Sequence, residues 1–157
     1  MALETLVVAV GPNDDARTEE LTEAVLDVAA PTGANVVFLH VFSEQAYQAG
    51  IEEAGFDPDD PPSPDELASR LEAIDSMAAE LGEADVPYGI EGRIGDEADA
   101  ILEAATDVDA DVLYVSGRKR SPTGKAVFGS TVHRLLMDSP CPVLFVREGL
   151  HGDWDGS

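Results

Sequence analysis

The chain is short of cysteine, of positive charge and of long apolar runs. Cys141 is its single cysteine, which excludes an intrachain disulfide and gives no metal framework. Flanked by Pro140 and Pro142 just before an apolar run, it reads as a quiet, half-buried thiol. No apolar run nears the roughly 18 residues of a membrane-spanning helix. The opening MALETLVVAV has no positive n-region and leads straight into a strand, so it does not read as a signal peptide. At 157 residues one domain is expected, burying roughly 70% of the surface its unfolded chain exposes. The domain is placed at 1–148 with a polar tail at 149–157, and the protein is expected to be cytoplasmic.

Positive charge is the scarcest commodity. Lys and Arg total 9 against 32 Asp and Glu, for a formal net charge of -23, and only two of the nine are Lys. The carboxylates are spread along the chain, so at low salt the surface repels itself. A Debye length of about 3 Å at 1 M salt relieves this, which points to a salt-rich cytoplasm. The same charge argues against nucleic acid or an anionic membrane as partner. Disorder is excluded by a 44% hydrophobic content in clear patterns.

Those patterns alternate. Glu4 to Val10, Ala34 to Phe42, Val86 to Ile94, Ala110 to Val115 and Val143 to Val146 read as strands, the first two as runs buried on both faces. Between them, Ala16 to Ala30 has helical spacing and is ended by Pro31-Thr32-Gly33. A short helix is expected over Glu44 to Ala54, then an exposed acidic loop over Phe56 to Pro62. Ser63-Pro64-Asp65-Glu66 combines a capping box with Pro at the first helical position and opens a helix reaching about Gly82. Gly89 and Gly92 weaken the third strand. Another helix spans Ala98 to Thr106, and Ser130 is expected to cap a last helix with Val132, Leu135 and Leu136 on its buried side. Five strands alternating with helices imply a doubly wound α/β fold with a parallel sheet in the order 3-2-1-4-5.

Five of the nine cations (Arg118, Lys119, Arg120, Lys125 and Arg134) crowd into one 17-residue stretch where the fourth strand ends and the last helix begins. A strand, a Gly-containing basic loop and a helix N-terminus form an arrangement that binds anions through free backbone N–H groups and the helix dipole. In this strand order the winding reverses between strands one and four, where ligands of such sheets bind. Gly11, Pro12 and Asn13, after strand one, would face the basic loop. The competing reading is that these cations only neutralise nearby carboxylates. A P-loop is excluded, since six residues and not four lie between Gly117 and Gly124, and Ala126 follows Lys125.

Gly129-Ser130 opening the last helix, the ending Ser139-Pro140-Cys141-Pro142-Val143-Leu144-Phe145-Val146-Arg147, Phe38-Leu39-His40-Val41 closing strand two, and Gly95 before the third major helix occur together in order and spacing. In this the chain resembles the universal stress protein family over residues 3 to 147, as a haloarchaeal-type, UspA-like member. The resemblance implies a loop G-x2-G-x9-G-(S/T) in members that bind ATP, with Val41 against an adenine. Here Ser116 and Lys119 stand at the first two glycine positions, Gly117 is displaced by one, and Gly11 replaces an acidic residue after strand one; Gly129-Ser130 survives. ATP or another nucleotide is therefore one candidate cofactor, absence of any is the other, and a remodelled phosphate-holding loop is the third outcome. The candidate site comprises Gly11, Pro12, Asn13, Val41, Ser116, Gly117, Arg118, Lys119, Arg120, Gly129, Ser130 and Thr131. The resemblance also implies a homodimer through the last strand (Val143, Leu144, Phe145, Val146), whose bare edge invites pairing; the competing reading is an edge covered by the C-terminal tail.

No catalytic constellation is visible. Ser130 lacks a partnering His or Asp and a nucleophile elbow. His40, at a strand end, reads as a hydrogen-bonded structural residue, His133 as solvent-facing, and His151 lies in the tail, so no metal site is assigned. The expected function is stress-response regulation through a nucleotide or phosphate crevice at the strand-one/strand-four switch point, with regulatory protein partners yet to be identified. The alternative is a homodimeric interaction protein without nucleotide. Enzyme activity is not assigned; slow ATP hydrolysis or autophosphorylation is a third model, and phosphate retained on Ser or Thr would reveal the autophosphorylation.

Overall fold

The computed structural model describes residues 3–11, 18–117 and 129–147. Its elements, in chain order, are β1 (Thr5–Ala9), α1 (Thr18–Thr32), β2 (Asn35–Phe42), α2 (Glu44–Glu53), α3 (Pro64–Ser69), α4 (Glu72–Glu83), β3 (Tyr88–Ile94), α5 (Glu97–Asp107), β4 (Val112–Gly117), α6 (Ser130–Asp138) and β5 (Val143–Arg147). The strands form one sheet in the order β3-β2-β1-β4-β5, with every pairing parallel. This is the doubly wound α/β architecture expected from the alternation.

Strand alternation sends successive side chains to opposite faces, and each face has its own core. Leu6, Val8, Phe38 and Tyr114 point to one face, where Leu21 and Val25 of α1, Leu67 of α3 and Ile74, Met77 and Leu81 of α4 cover them. Val7, Ala9, Leu39, Leu113 and Val115 point to the other, beneath Ile101 and Ala104 of α5 and Leu135 of α6. Right-handed crossovers account for the split: connections running outward from β1 to β3 pass over one face, and those running from β3 through β4 to β5 pass over the other.

Three helix starts are held by side-chain caps that sequence can supply locally. Ser43 accepts from the Ala46 N–H at 3.0 Å, Ser63 from Glu66 at 3.1 Å, and Asp96 from Asp99 at 3.0 Å. Helix α1 runs past Ala30 to take in Pro31 and Thr32, and ends at Gly33, whose φ of +71° suits a residue without Cβ.

The expected single helix from Pro64 to Gly82 is instead two. Arg70 and Leu71 donate their N–H groups to Leu67 and Ala68, three residues back, which tightens and ends α3; Leu71 is then extended (ψ 132°) and α4 begins. The cause lies across the chain in β3. The Gly92 N–H donates to Asp65 Oδ1 at 2.8 Å, and a Cβ at residue 92 would sit 2.0 Å from the Pro64 carbonyl oxygen. Helix α3 is thus pinned against β3 at a position no other residue type can occupy, and the chain must turn before α4 can cover the sheet. Gly92, expected only to weaken the strand, is the seat of this contact.

Gly92→Ala is expected to destabilise the protein by about 3 kcal/mol, the upper end of overpacking costs. Gly89→Ala, where a Cβ meets nothing within 4 Å, should stay within about 0.5 kcal/mol of the parent. Urea unfolding of both variants in molar KCl checks the pair.

Candidate functional site at the strand switch point

Between β1 and β4 the winding reverses. The two strands pair in register from Leu6 with Val112 to Val8 with Tyr114, yet the connection after β1 leads to α1 on one face and that after β4 to α6 on the other. In sheets wound this way, ligands bind beyond the carboxyl ends of the strands at such a reversal. Gly11 follows β1, Ser116 and Gly117 end β4, and Gly129, Ser130 and Thr131 open α6. The structure so brings together the described members of the expected site. Pro12, Asn13, Arg118, Lys119 and Arg120 lie outside the described residues.

The N-terminus of α6 differs from every other described helix start. Glu19 and Glu20, Glu44, Asp65 and Glu66, Glu72 and Asp75, and Glu97 and Asp99 put carboxylates in the first turns of α1 to α5. Helix α6 has none there. Nor does a side chain cap it: the N-cap is Gly129, extended at φ -63° and ψ 164°, and not Ser130 as expected; Ser130 is the first helical residue. Among the described residues no side chain takes the first-turn N–H groups, and of the described helix starts this one carries the least negative charge toward an anion.

Ser116 adds a second feature. Its Oγ is buried and has no hydrogen-bond partner, as is the hydroxyl of Tyr114 two residues earlier on the same face. Burial, and secondarily the Asp27 carboxylate, push the Tyr114 phenol above its ordinary pKa. A buried hydroxyl thus stands at the end of β4, on the face covered by α1 and α4, without a partner among the described residues. Gly117 has a packing explanation: a Cβ there would come within 3.0 Å of the Phe145 ring.

Val41, 9% exposed, lies on the α5–α6 face beside Ala9 and Val115. His40 points the other way. Its Nδ1 lies 2.7 Å from the Val10 carbonyl oxygen, so Nδ1 carries the proton and donates, and the ring stands edge-on to Phe42 at 4.5 Å. This agrees with the structural role expected for His40, which ties the end of β1 to β2. His133 is exposed and Cys141 half-buried, as expected. Leu136 is not on the buried side: it is 39% exposed, and Met137 71%.

Of the cation cluster, the described member is Arg134. Its guanidinium meets Asp99, with Asp96 and Asp138 each 3.6 Å away. For Arg134, neutralisation of neighbouring carboxylates is the correct reading, and it belongs to the α5–α6 contact. Sequence spacing could group Arg134 with the loop cations but could not show which way the helix turns it. No spacing signal marks the burial of the Ser116 hydroxyl either, because it depends on what packs over β4.

The sequence model of the family described as "Universal stress protein family" matches residues 3–147. A protein of Mycolicibacterium smegmatis named "Universal stress protein" is 35% identical over 80 residues, which are 50% of this chain and 62% of that one. The chain thus spans less than two thirds of that relative. Among solved structures, a universal stress protein from Archaeoglobus fulgidus superposes with a TM-score of 0.69 at 24% identity, covering 92% of this chain and 98% of the other. One from the same organism in complex with dAMP gives 0.65 at 19% identity, covering 94% and 100%.

A hydroxyl buried without a partner costs stability. Ser116→Ala is therefore expected to leave the free energy of unfolding unchanged or to raise it by about 1 kcal/mol. A loss of that size in denaturant titration would show that the hydroxyl already has a partner in solution.

Proposed function

This chain belongs to the universal stress protein family, and on that premise we propose that it is a cytoplasmic stress-response regulator that binds an adenine nucleotide, or a ligand carrying a similar phosphate, in the crevice between β1 and β4. The observation that carries this reading is the start of α6: uncapped, free of carboxylates, and opening at the switch point where Gly11 and Ser116 also end. The phosphate would take the N–H groups of Ser130 and Thr131 and the Ser130 hydroxyl, with Arg118, Lys119 and Arg120 adding charge and the base lying by Val41. The dAMP held by a neighbour of the same fold supports the choice of ligand. Lys119 replaces backbone flexibility with a cation, so affinity here rests more on side chains than on a glycine-lined cradle. The acidic surface suits a salt-rich cell interior.

The test is calorimetric titration of ATP and AMP, with and without magnesium, in molar KCl. Micromolar binding is expected. Proline is accepted at the first position of a helix, and Gly129 already has the extended backbone a following proline requires. Ser130→Pro should therefore keep α6 while deleting one N–H and one hydroxyl. Loss of a charge-assisted hydrogen bond predicts at least a ~10-fold weaker affinity, and Ser130→Ala separates the hydroxyl from the N–H. An affinity untouched by Ser130→Pro would place the phosphate elsewhere.

A second reading has its own observation. The two outer strands of the sheet are unequal. At β3 the edge is occupied where Asp65 takes the Gly92 N–H and Pro64 lies against the strand. Strand β5 ends the sheet on the other side. Val143, Leu144, Phe145 and Val146 would then pair with a second copy. Sedimentation in molar KCl should give a dimer at micromolar concentration. A folded dimer that shows neither heat nor thermal shift with nucleotide would make the interaction protein the better account; a monomer would remove that reading.

A further inference from the structure

On the sheet face opposite Val41, a cleft of about 500 Å3 lies between the ends of β1 and β2, helix α2 and the break between α3 and α4. That is within the usual range of small-molecule sites, about 300–1,000 Å3. Its walls are largely apolar: Phe42, Ala46, Ala49, Gly50, Leu67 and Ala73. Ala46 and Ala49 are solvent-exposed although they face this hollow, so the cleft is an open binding surface and not a packing defect. Gly11 is the one described residue it shares with the switch-point site.

One cationic group faces it: Arg70, which lines the cleft and among the described residues has no ion pair. Arg93 is bonded to Glu91 and Asp107, and Arg134 meets three carboxylates. Arg70 instead rests its guanidinium over the Phe56 ring, 5.3 Å from the centroid. In a chain with 32 acidic residues and 9 basic ones, a guanidinium held by an aromatic face and left without a carboxylate is a fork kept open for an anion. His40, only 7% exposed, also lies in the cleft wall, with its Nδ1 committed to the Val10 carbonyl.

Glu53 and Glu72 line the same cleft without pairing with Arg70. They oppose any ligand of high negative charge, di- and triphosphates above all, and leave a single charge as the tolerable load. We propose that this cleft is a second binding site, separate from the nucleotide crevice, for a small monocarboxylate with an apolar body. The carboxylate sits against the Arg70 guanidinium, and the apolar part lies along Phe42, Ala49 and Leu67.

Octanoate is the probe, titrated in molar KCl into the full chain and followed by calorimetry and by the His40 ring resonances. Octanoate should bind, with acetate and the uncharged octanamide each at least ~10-fold weaker, since the first lacks the apolar contact and the second the charge-assisted bonds. Arg70→Gln should weaken octanoate at least ~10-fold and leave octanamide unchanged. Ala49→Leu, at an exposed position that does not threaten folding, should weaken both. Saturation with AMP should leave the octanoate titration unaltered. The proposal is overturned if octanoate shows no heat or shift to about 10 mM, ten times a millimolar Kd, or if octanamide binds as well. It also fails if Arg70→Gln has no effect, or if AMP displaces octanoate. Failure of nucleotide binding at α6 bears on none of these outcomes.

Discussion

The parallel pairing of β1 with both β2 and β4 is the constraint on which the rest of the molecule depends. A parallel neighbour can be reached only by a crossover, and the crossover has a fixed hand. With β1 at the centre, the chain must leave it over one face and return beside it over the other. The pairing is fastened at the amino end, where the Glu4 and Thr5 N–H groups donate to Asp111 Oδ2 at 2.8 and 2.9 Å and the Asp111 N–H donates to the Thr5 carbonyl. Those two N–H groups, Thr5 first, hold the Asp111 carboxyl below its usual pKa. At the carboxyl end His40 fastens β1 to β2 through Val10. Both candidate sites lie toward the carboxyl ends of these strands, one on each side of β1.

Charge is distributed to match. Five described helices begin with carboxylates, which suit the positive end of the dipole, and none has a cation in its last turn. Arg93 and Arg134 are consumed by carboxylates of neighbouring elements, Arg93 linking β3 to α5 and Arg134 linking α6 to α5. Against that background two exceptions stand out, the acid-free start of α6 and the unpaired Arg70. Both open at the carboxyl ends of the strands. An acidic surface of this kind makes exceptions informative, because an anion can settle only where the carboxylates have been withheld.

Much of this architecture was legible without a structure. The buried runs around Val7 and Phe38, the capping box at Ser63 and the alternation of periods determine strands, helices and the parallel order, because each of these signals is local and repeats along the chain. The break at Arg70 and Leu71 was not legible. Its cause is Gly92, some twenty residues away, whose missing Cβ is needed by the Pro64 carbonyl; helical spacing runs through the break without interruption. Leu136 likewise continues the apolar spacing of α6 while lying outside the covered stripe, since the width of that stripe is set by how α6 seats on β4 and β5.

For the sites the division is the same. Sequence by itself determined the family, the sheet order and therefore the location of the switch point, with Gly129-Ser130 opening a helix beside it. Only tertiary structure decided that Ser116 has a hydroxyl without a partner, that Arg134 is spent on carboxylates, and that Arg70 is not. Backbone propensity and hydrophobic period are properties of neighbours in the chain, and the sequence records them directly. Whether a polar group is paired or left open depends on atoms brought close by folding from distant segments, and no spacing along the chain encodes that distance.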